Sequence, residues 1–188
     1  MKKVLVFGMT DNPGGMESVI MNYYRHIDRS VLQFEFLCNT EKVAYEDEIR
    51  KLGGVIHNIC ARSKNLKQYK HDMTEFFKNN AEKYCALWFN TCSLSNIDYL
   101  VYATKYHIPK RIIHCHNAAN GGDSFLRNLL HKYHQRKVFK YATDFWTCNQ
   151  DSDLWFFGKS SKELPNYRVI YNAIDLDYFA PNDEIRKE

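Results

Sequence analysis

Two histidines and an asparagine stand at the end of one apolar segment, where their side chains could meet a substrate. His114 and His116 are two residues apart in a strand-like run, residues 111–116, so their side chains point to the same side. His116 lies at the strand end and is the better placed to contact a substrate. His114 lies one step deeper and is expected to be a hydrogen-bonded core residue. A histidine pair at this spacing can hold a metal ion, but no third ligand is evident nearby, so we expect no metal site.

A glycine turn near the start of the chain is the second feature with chemical potential. The apolar run 4–7 is followed by Gly14 and Gly15 and then by apolar residues at helical spacing. A helix that begins at such a turn presents unpaired amides, which attract anions. The glycines match neither the dinucleotide-binding pattern nor a phosphate-binding loop of the Walker type. A turn that only needs flexible residues therefore remains the alternative.

Glu17 lies in the first turn of the helix that follows these glycines. The helix dipole alone favours a carboxylate there by a few tenths of a kcal/mol up to about 1 kcal/mol. If the turn binds a substrate, Glu17 could instead orient a hydroxyl group while Gly14 and Gly15 allow the backbone to approach closely. Both interpretations stay open at this point.

Alternating strands and helices must position these residues. Apolar runs and helical periodicity predict seven strands, each of the first six followed by a helix. The predicted strands are residues 4–7, 33–38, 55–60, 84–89, 111–116, 144–148 and 168–171. The predicted helices follow the glycine turn to about residues 26–29 and span residues 45–52, 66–80, 97–104, 125–141 and 151–157. This order indicates an α/β, Rossmann-like parallel sheet of about seven strands with helices on both faces, in which ligands gather at the carboxyl ends of the strands.

Composition narrows the function classes. The chain has 188 residues, 45% of them hydrophobic, and a formal charge of +4, which suits one domain with a sizeable core and argues against nucleic acid as a partner. No apolar run approaches the roughly 20 residues that cross a bilayer. The apolar run near the amino terminus is also too short for a signal peptide. We expect a cytoplasmic protein. Its six cysteines, which include no Cys-x-x-Cys pair, are expected to be reduced core residues.

The segment 125–141 is a basic helix that allows two interpretations. Leu126, Leu129, Leu130, Tyr133 and Phe139 are available to one side, with lysines and arginines around them. The helix could present an ordinary solvated face. Alternatively, it could contact anionic lipid while Phe125 and its apolar neighbours enter the membrane interface.

Four motifs, taken together and in order, resemble one enzyme family. They are Gly-Gly-Met-Glu at 14–17, His-Cys-His-Asn at 114–117, Trp-Phe-Phe-Gly at 155–158, and Val-Ile-Tyr-Asn-Ala-Ile-Asp-Leu-Asp-Tyr-Phe at 169–179. Over residues 1–180 the chain resembles the amino-terminal, acceptor-side half of retaining GT-B glycosyltransferases of family four. The segments 21–28 and 33–37 are most similar to members that build bacterial exopolysaccharide and capsule. The resemblance implies one Rossmann-like half of a two-domain GT-B fold.

The resemblance also implies roles for individual residues. Gly14 and Gly15 would contact the diphosphate of a nucleotide-sugar donor, which we expect to be a UDP-sugar, with no further cofactor. Glu17 and Asn117 would bind the acceptor, and His116 would be the catalytic contact to the reacting sugar or acceptor hydroxyl. The hinge between the two domains would include Asn172 and Asp175, in a motif where Ala173 replaces the usual glycine.

The chain departs from this family because it has no counterpart of the donor-binding second domain. We therefore expect residues 1–180 to be the acceptor-side domain, residues 181–188 to begin an interdomain linker, and the fragment to be inactive alone. The expected reaction transfers a sugar to a lipid-linked or polysaccharide acceptor with retention, at the inner face of the plasma membrane if the protein is peripheral. The alternatives are a free-standing, non-catalytic module that binds a sugar phosphate or nucleotide, and a peripheral membrane adaptor.

Overall fold

The chain forms a seven-stranded parallel sheet. The computed structural model describes residues 1–117, 124–149 and 152–173. The strands are β1 (Lys2–Phe7), β2 (Leu32–Cys38), β3 (Val55–Asn58), β4 (Ala86–Thr91), β5 (Lys110–Cys115), β6 (Asp144–Thr147) and β7 (Tyr167–Val169). The helices are α1 (Gly15–His26), α2 (Glu46–Lys51), α3 (Leu66–Asn80), α4 (Asp98–Lys105), α5 (Phe125–Tyr141) and α6 (Ser152–Phe157), with short 3₁₀ helices at Ala81–Lys83 and Ser161–Glu163.

The strand order creates a crevice at the centre of the sheet. The order is β3-β2-β1-β4-β5-β6-β7, and every adjacent pair is parallel. The direction in which the sheet grows reverses between β1 and β4, where Val6 pairs with Trp88 and Phe7 with Phe89. In open α/β sheets the crevice beyond such a reversal is where ligands bind. The residues that follow β1 and β4 are therefore the first candidates for a ligand-binding site.

Each face of the sheet has its own apolar core. Val4, Val6 and Phe36 pack with α1 and with Ile49 of α2 on one face. Leu5 and Leu37 belong to the larger core on the other face, which includes buried side chains of α3, α4, α5 and α6. This alternation along the strands is the pattern expected for a sheet covered on both sides. The predicted fold class, with helices on both faces, is confirmed.

The predicted elements are confirmed within one or two residues. The fourth strand was expected to end at Phe89, whereas β4 continues through Asn90 and Thr91. Helix α5 has the predicted bounds. Of the apolar residues noted along it, Leu129 and Tyr133 are each 54% exposed, whereas Phe139 packs against the core. The buried positions of the helix are His131 and Val138.

The cysteines are all free thiols, in agreement with the expected reduced state. Only two of the six, Cys38 and Cys115, are buried. Of the other four, which are partly exposed, Cys85 still packs against the core. The expected core placement is wrong for Cys60, Cys92 and Cys148. They lie at strand ends and loop starts, where an apolar neighbourhood in the sequence does not ensure burial.

Candidate functional site

The carboxyl ends of β1, β4 and β5 meet at a tightly packed point. Gly8 directly follows β1 and has a φ of +134°, a conformation that L side chains rarely adopt. A Cβ atom at this position would lie only 2.7 Å from the Cβ of Asn90. Gly8 thus allows β1 to approach β4 closely enough for Asn90 to bridge the two strands.

Asn90 fixes both the position and the protonation pattern of His116. Its side chain is fully buried, and its amide nitrogen donates to the carbonyl oxygens of Phe7 (3.1 Å) and Trp88 (3.3 Å). Its oxygen therefore faces Nε2 of His116, at 2.9 Å. Since that oxygen can only accept a hydrogen bond, Nε2 must carry the proton and donate.

The other ring nitrogen of His116 is thereby left unprotonated. Burial lowers the pKa of His116 to about 4, so the ring is neutral at physiological pH and Nδ1 keeps its lone pair. None of the described residues hydrogen-bonds to this Nδ1. A neutral imidazole with a free lone pair at a strand end can accept a hydrogen bond from a substrate hydroxyl.

His114 supports His116 from below and takes no part in exposed chemistry. The two rings lie on the same side of β5, with centroids 4.3 Å apart, as predicted. His114 is fully buried, and its Nδ1 accepts a hydrogen bond from the indole Nε1 of Trp88 at 3.3 Å. The pKa of His114 is lowered to about 2, mainly because the ring is buried and to a smaller extent because His116 lies beside it. The expected role of a hydrogen-bonded core histidine is confirmed.

The turn between β1 and α1 places the carboxylate of Glu17 beside Gly14. Helix α1 begins at Gly15, with Gly14 as its N-cap residue. Glu17 is 5% exposed, and its Oε1 accepts a hydrogen bond of 2.6 Å from the hydroxyl of Thr10. A Cβ at Gly14 would lie 3.0 Å from Oε2 of Glu17, whereas a Cβ at Gly15 would meet nothing within 4 Å. Gly15 is therefore not required for packing within the described chain.

The remaining predicted site residues are less well defined. Asn117 is partly exposed and directly follows His116 at the end of β5; its backbone oxygen accepts a hydrogen bond from the Cys115 thiol at 2.9 Å. Asn172 is exposed and lies between two residues whose carbonyl oxygens accept from side chains of α1. The other predicted hinge residue, Asp175, lies outside the described residues, so the hinge assignment stays a prediction.

Two negative findings apply to the described part of the chain. Within residues 1–117, 124–149 and 152–173, no group of three histidine, cysteine, aspartate or glutamate side chains is arranged to hold a metal ion. In the same ranges, no helix combines the length and apolar character needed to span a bilayer.

Sequence reasoning missed Gly8, Thr10 and Asn90. Asn90 could have been found, because a polar residue directly after the apolar run 86–89 points to a functional strand end. Thr10 could not, since its hydrogen bond to Glu17 depends on the path of the turn. The requirement for glycine at position 8 arises from contact with β4, which is distant in sequence.

Comparison with known proteins extends the structural description. The chain is 30% identical over 190 residues to the "Putative glycosyltransferase EpsF" of Bacillus subtilis (strain 168), an alignment that covers 100% of this chain and 49% of that protein. The chain therefore spans about half the length of the curated relative that it matches. No protein-family model matches the sequence.

Solved structures share the same architecture. The lipopolysaccharide outer core galactosyltransferase WaaB in its apo form superposes with a TM-score of 0.61 at 16% identity, over 94% of this chain and 47% of that chain. A ugt transferase from Siraitia grosvenorii in complex with UDP has a TM-score of 0.54 at 10% identity, over 99% of this chain and 54% of that chain. The fold is that of one half of a GT-B glycosyltransferase. The predicted architecture is confirmed, whereas the assignment to family four and the retaining outcome stay predictions.

Proposed function

We propose that this chain is the acceptor-side half of a glycosyltransferase that moves a sugar from a nucleotide-sugar donor to a saccharide acceptor with retention, in the cytoplasm. One observation carries the proposal: His116 presents an unprotonated Nδ1 at the crevice between β1 and β4, held by Asn90. The similarity to EpsF supports the reaction class, and the name of that relative fits exopolysaccharide assembly. UDP in a structural neighbour supports a UDP-sugar as donor.

The proposed reaction exchanges one glycosidic bond for another. The bond from the anomeric carbon to the nucleotide diphosphate breaks, the acceptor oxygen bonds to the same carbon, and the proton of the acceptor hydroxyl passes to the departing diphosphate. His116 Nδ1 would accept a hydrogen bond from a hydroxyl of the reacting sugar or acceptor and so orient it. Glu17, in the first turn of α1, and Asn117, just after β5, would position the acceptor.

The departing diphosphate needs electrostatic stabilisation. The amino terminus of α1 presents backbone amides to the crevice, and its dipole favours negative charge. Gly14 and Gly15 would let the diphosphate approach these amides, which is consistent with the open space beside Gly15. Nucleotide recognition would come from a second domain beyond this chain, and no metal ion is required by this scheme.

The test is a transfer assay on the protein that contains this chain together with its second half. We expect release of UDP that depends on both a UDP-sugar and an acceptor, with the α-linked product formed from an α-linked donor. Residues 1–188 alone are expected to show no transfer, because half of the crevice is absent. Turnover by residues 1–188 alone would contradict the claim that a second domain is needed. The absence of transfer by the longer protein, with a broad panel of donors and acceptors, would contradict the proposed function.

The alternative is a non-catalytic module that binds a sugar phosphate or nucleotide. It is supported by one observation: the described sheet has its own apolar core on each face. The two functions differ in a simple experiment. Saturable binding of UDP to residues 1–188 alone, without transfer by any longer form of the protein, would favour the module.

We further propose that helix α5 contacts anionic lipid, which would bring the enzyme to a lipid-linked acceptor. Between α5 and α6 lies a groove of about 800 Å³ lined by Lys132, Arg136 and Lys159 together with apolar and aromatic side chains. No carboxylate of the described residues lines this groove. Nearby on α5, Phe125 is 84% exposed and Leu126 is 63% exposed. Exposed apolar side chains beside cations suit the interface of an anionic membrane.

Vesicle co-sedimentation tests this contact. We expect the protein to sediment with vesicles that contain phosphatidylglycerol but not with pure phosphatidylcholine vesicles, and to lose this binding when Lys132, Arg136 and Lys140 are changed to glutamate. The matched control reverses three exposed lysines elsewhere, Lys51, Lys78 and Lys83, and should retain binding. Equal loss in both triple variants would show that only net charge matters and would contradict a specific membrane face.

A further inference from the structure

A second cavity opens beside the His116 site, on the opposite face of the sheet. It has a volume of about 210 Å³ and lies where β1, β2 and β4 end. Its lining residues are Phe7, Asn39, Phe89, Thr91, Cys92, Ser93, Ser95, Asn96, Tyr99 and Arg127. We call this cavity the β4 pocket.

Alternation along β4 links the β4 pocket to the His116 site. Side chains of successive strand residues point to opposite faces. Asn90 holds His116 on the α1 face, whereas its neighbours Phe89 and Thr91 line the β4 pocket on the other face. The end of one strand thus separates the two sites.

The floor of the β4 pocket is aromatic. The rings of Phe7 and Tyr99 have centroids 3.8 Å apart at an interplanar angle of 30°, and Phe89 and Tyr99 are 5.6 Å apart at 27°. Phe89 and Tyr99 are each 1% exposed, while Phe7 is partly exposed. Phe7 therefore presents part of its ring to the pocket, which provides an apolar surface at the bottom of an otherwise polar cavity.

The rim of the β4 pocket is polar, and two of its side chains have no hydrogen-bond partner among the described residues. The side chains of Asn39 and Ser95 form no hydrogen bond with the described residues. Ser93 and Thr91 are tied into the loop that follows β4, since Thr91 Oγ1 donates to the Ser93 carbonyl at 2.8 Å. Among the described residues, the guanidinium of Arg127 lines the cavity and no carboxylate does.

The loop that carries these polar groups is fixed to α5. The backbone amide of Leu94 donates to Nδ1 of His131 at 3.1 Å, and its carbonyl oxygen lies 2.6 Å from Nδ1 of His134. Helix α5 also contributes Arg127 to the rim. The rim is therefore held in place before any ligand binds, which reduces the ordering that binding requires.

We propose that the β4 pocket binds a pyranose unit of the acceptor saccharide. A pyranose has an apolar face of C–H groups and an edge of hydroxyls, which match the ring of Phe7 and the rim residues Asn39, Ser95 and Arg127. The cavity is smaller than the roughly 300 Å³ or more of pockets for drug-sized ligands, which suits a single sugar ring. This inference rests on the proposed function, because it assigns the cavity to the acceptor.

Binding to residues 1–188 can be measured without turnover. We expect N-acetylglucosamine, glucose or glucuronate, added at millimolar concentrations, to shift the backbone amide resonances of Asn39 and of the loop Ser93–Asn96 in a saturable manner. The double variant Asn39→Ala and Ser95→Ala should weaken this binding at least tenfold. The control variant Asn79→Ala, on the exposed side of α3, should bind as the wild type does.

Failure of this inference is distinguishable from failure of the proposed function. If none of the three monosaccharides shifts these resonances, or if the double variant binds equally well, the pocket assignment is wrong even when the longer protein transfers sugar. If the sugars bind here but the longer protein transfers nothing, the pocket stands as a saccharide site and the proposed function fails. In an active enzyme, Asn39→Ala with Ser95→Ala should raise the acceptor KM at least tenfold and leave the donor KM unchanged.

Discussion

Two buried polar clusters in this sheet differ in how completely their hydrogen bonds are satisfied. In the Glu35 cluster, Lys3 donates to one carboxylate oxygen at 2.6 Å, and His57 and Tyr84 contact the other at 2.8 and 2.7 Å. In the His116 cluster, Asn90 occupies one ring nitrogen and no described residue occupies the other. A saturated cluster stabilises the fold, whereas an unsatisfied nitrogen at a strand end is available to a ligand.

The electrostatics of the two clusters follow the same division. Burial opposes the charge of Glu35, yet the hydrogen bonds from Lys3, His57 and Tyr84 together outweigh it and lower the pKa of Glu35 to about 2. His116 has no charged partner, and burial lowers its pKa to about 4. Glu35 is thus charged and His116 neutral at physiological pH, which suits a stabilising role for Glu35 and the substrate contact that we propose for His116.

The largest expected effect separates the two histidines. His116→Ala should lower the kcat of the longer enzyme by about 10²–10⁴-fold with little change in the thermal midpoint. His57→Ala is the matched variant, and it should lower the thermal midpoint while the folded enzyme keeps its turnover. Near-wild-type turnover in His116→Ala, or a comparable loss in His57→Ala, would remove the functional distinction between the clusters.

The next effect concerns the carboxylate of the saturated cluster. Glu35→Ala removes the counter-charge of the partly exposed Lys3 and the acceptor of the Tyr84 hydroxyl. It should lower the free energy of unfolding by about 2–3 kcal/mol. Urea unfolding of residues 1–188 measures this loss. Glu41→Ala is the control, because its ion pair with Lys64 is exposed and its removal should leave the free energy of unfolding almost unchanged. Equal losses in the two variants would contradict a special role for the Glu35 cluster.

The pH dependence of stability should report the same cluster. Because the pKa of Glu35 falls from 4.5 to about 2 on folding, its carboxylate stabilises the fold at every pH above 4.5. This contribution is lost as the pH falls towards 2, by roughly 2–3 kcal/mol in total. Urea midpoints measured across this range should decline less steeply in Glu35→Gln than in the wild type. Parallel curves would show that Glu35 does not have a lowered pKa.

The smallest expected effects compare two glycines. Gly8→Ala introduces a Cβ in a positive-φ conformation and against Asn90, and it should lower the free energy of unfolding by about 2–3 kcal/mol. Gly15→Ala meets no neighbour and should change stability by less than about 1 kcal/mol, in the stabilising direction. If Gly15 admits the donor diphosphate, this stable variant should nevertheless raise the donor KM. An unchanged donor KM would exclude position 15 from the donor contact.

The sequence predicted the frame of the molecule better than its functional contacts. The predicted bounds of α3 and α5 are those observed, since side-chain caps at Asn65 and Ser124 and helical periodicity are local properties. The order of the strands places β4 beside β1 through contacts that are distant in sequence. The bridge from Gly8 through Asn90 to His116 depends on that placement, so the sequence could supply His116 but not the residue that sets its protonated nitrogen.

The outward side of α5 shows a second limit. Leu129 and Tyr133 are exposed although they are apolar, whereas the buried positions include His131, whose Nδ1 accepts a hydrogen bond from the Leu94 amide. A polar side chain can occupy a core position when a loop provides its partner. That partner lies 37 positions earlier in the chain, beyond the reach of a local pattern.

The most direct test of the account is the tautomer and titration of the His116 ring, measured by nitrogen-15 NMR of residues 1–188. We predict that Nε2 carries the proton, that Nδ1 is unprotonated, and that the ring stays neutral from neutral pH down to about pH 5, since its pKa is about 4. A proton on Nδ1 in the neutral ring, or titration near the ordinary histidine pKa of about 6.5, would contradict the claim that Asn90 holds an unprotonated nitrogen ready for a substrate.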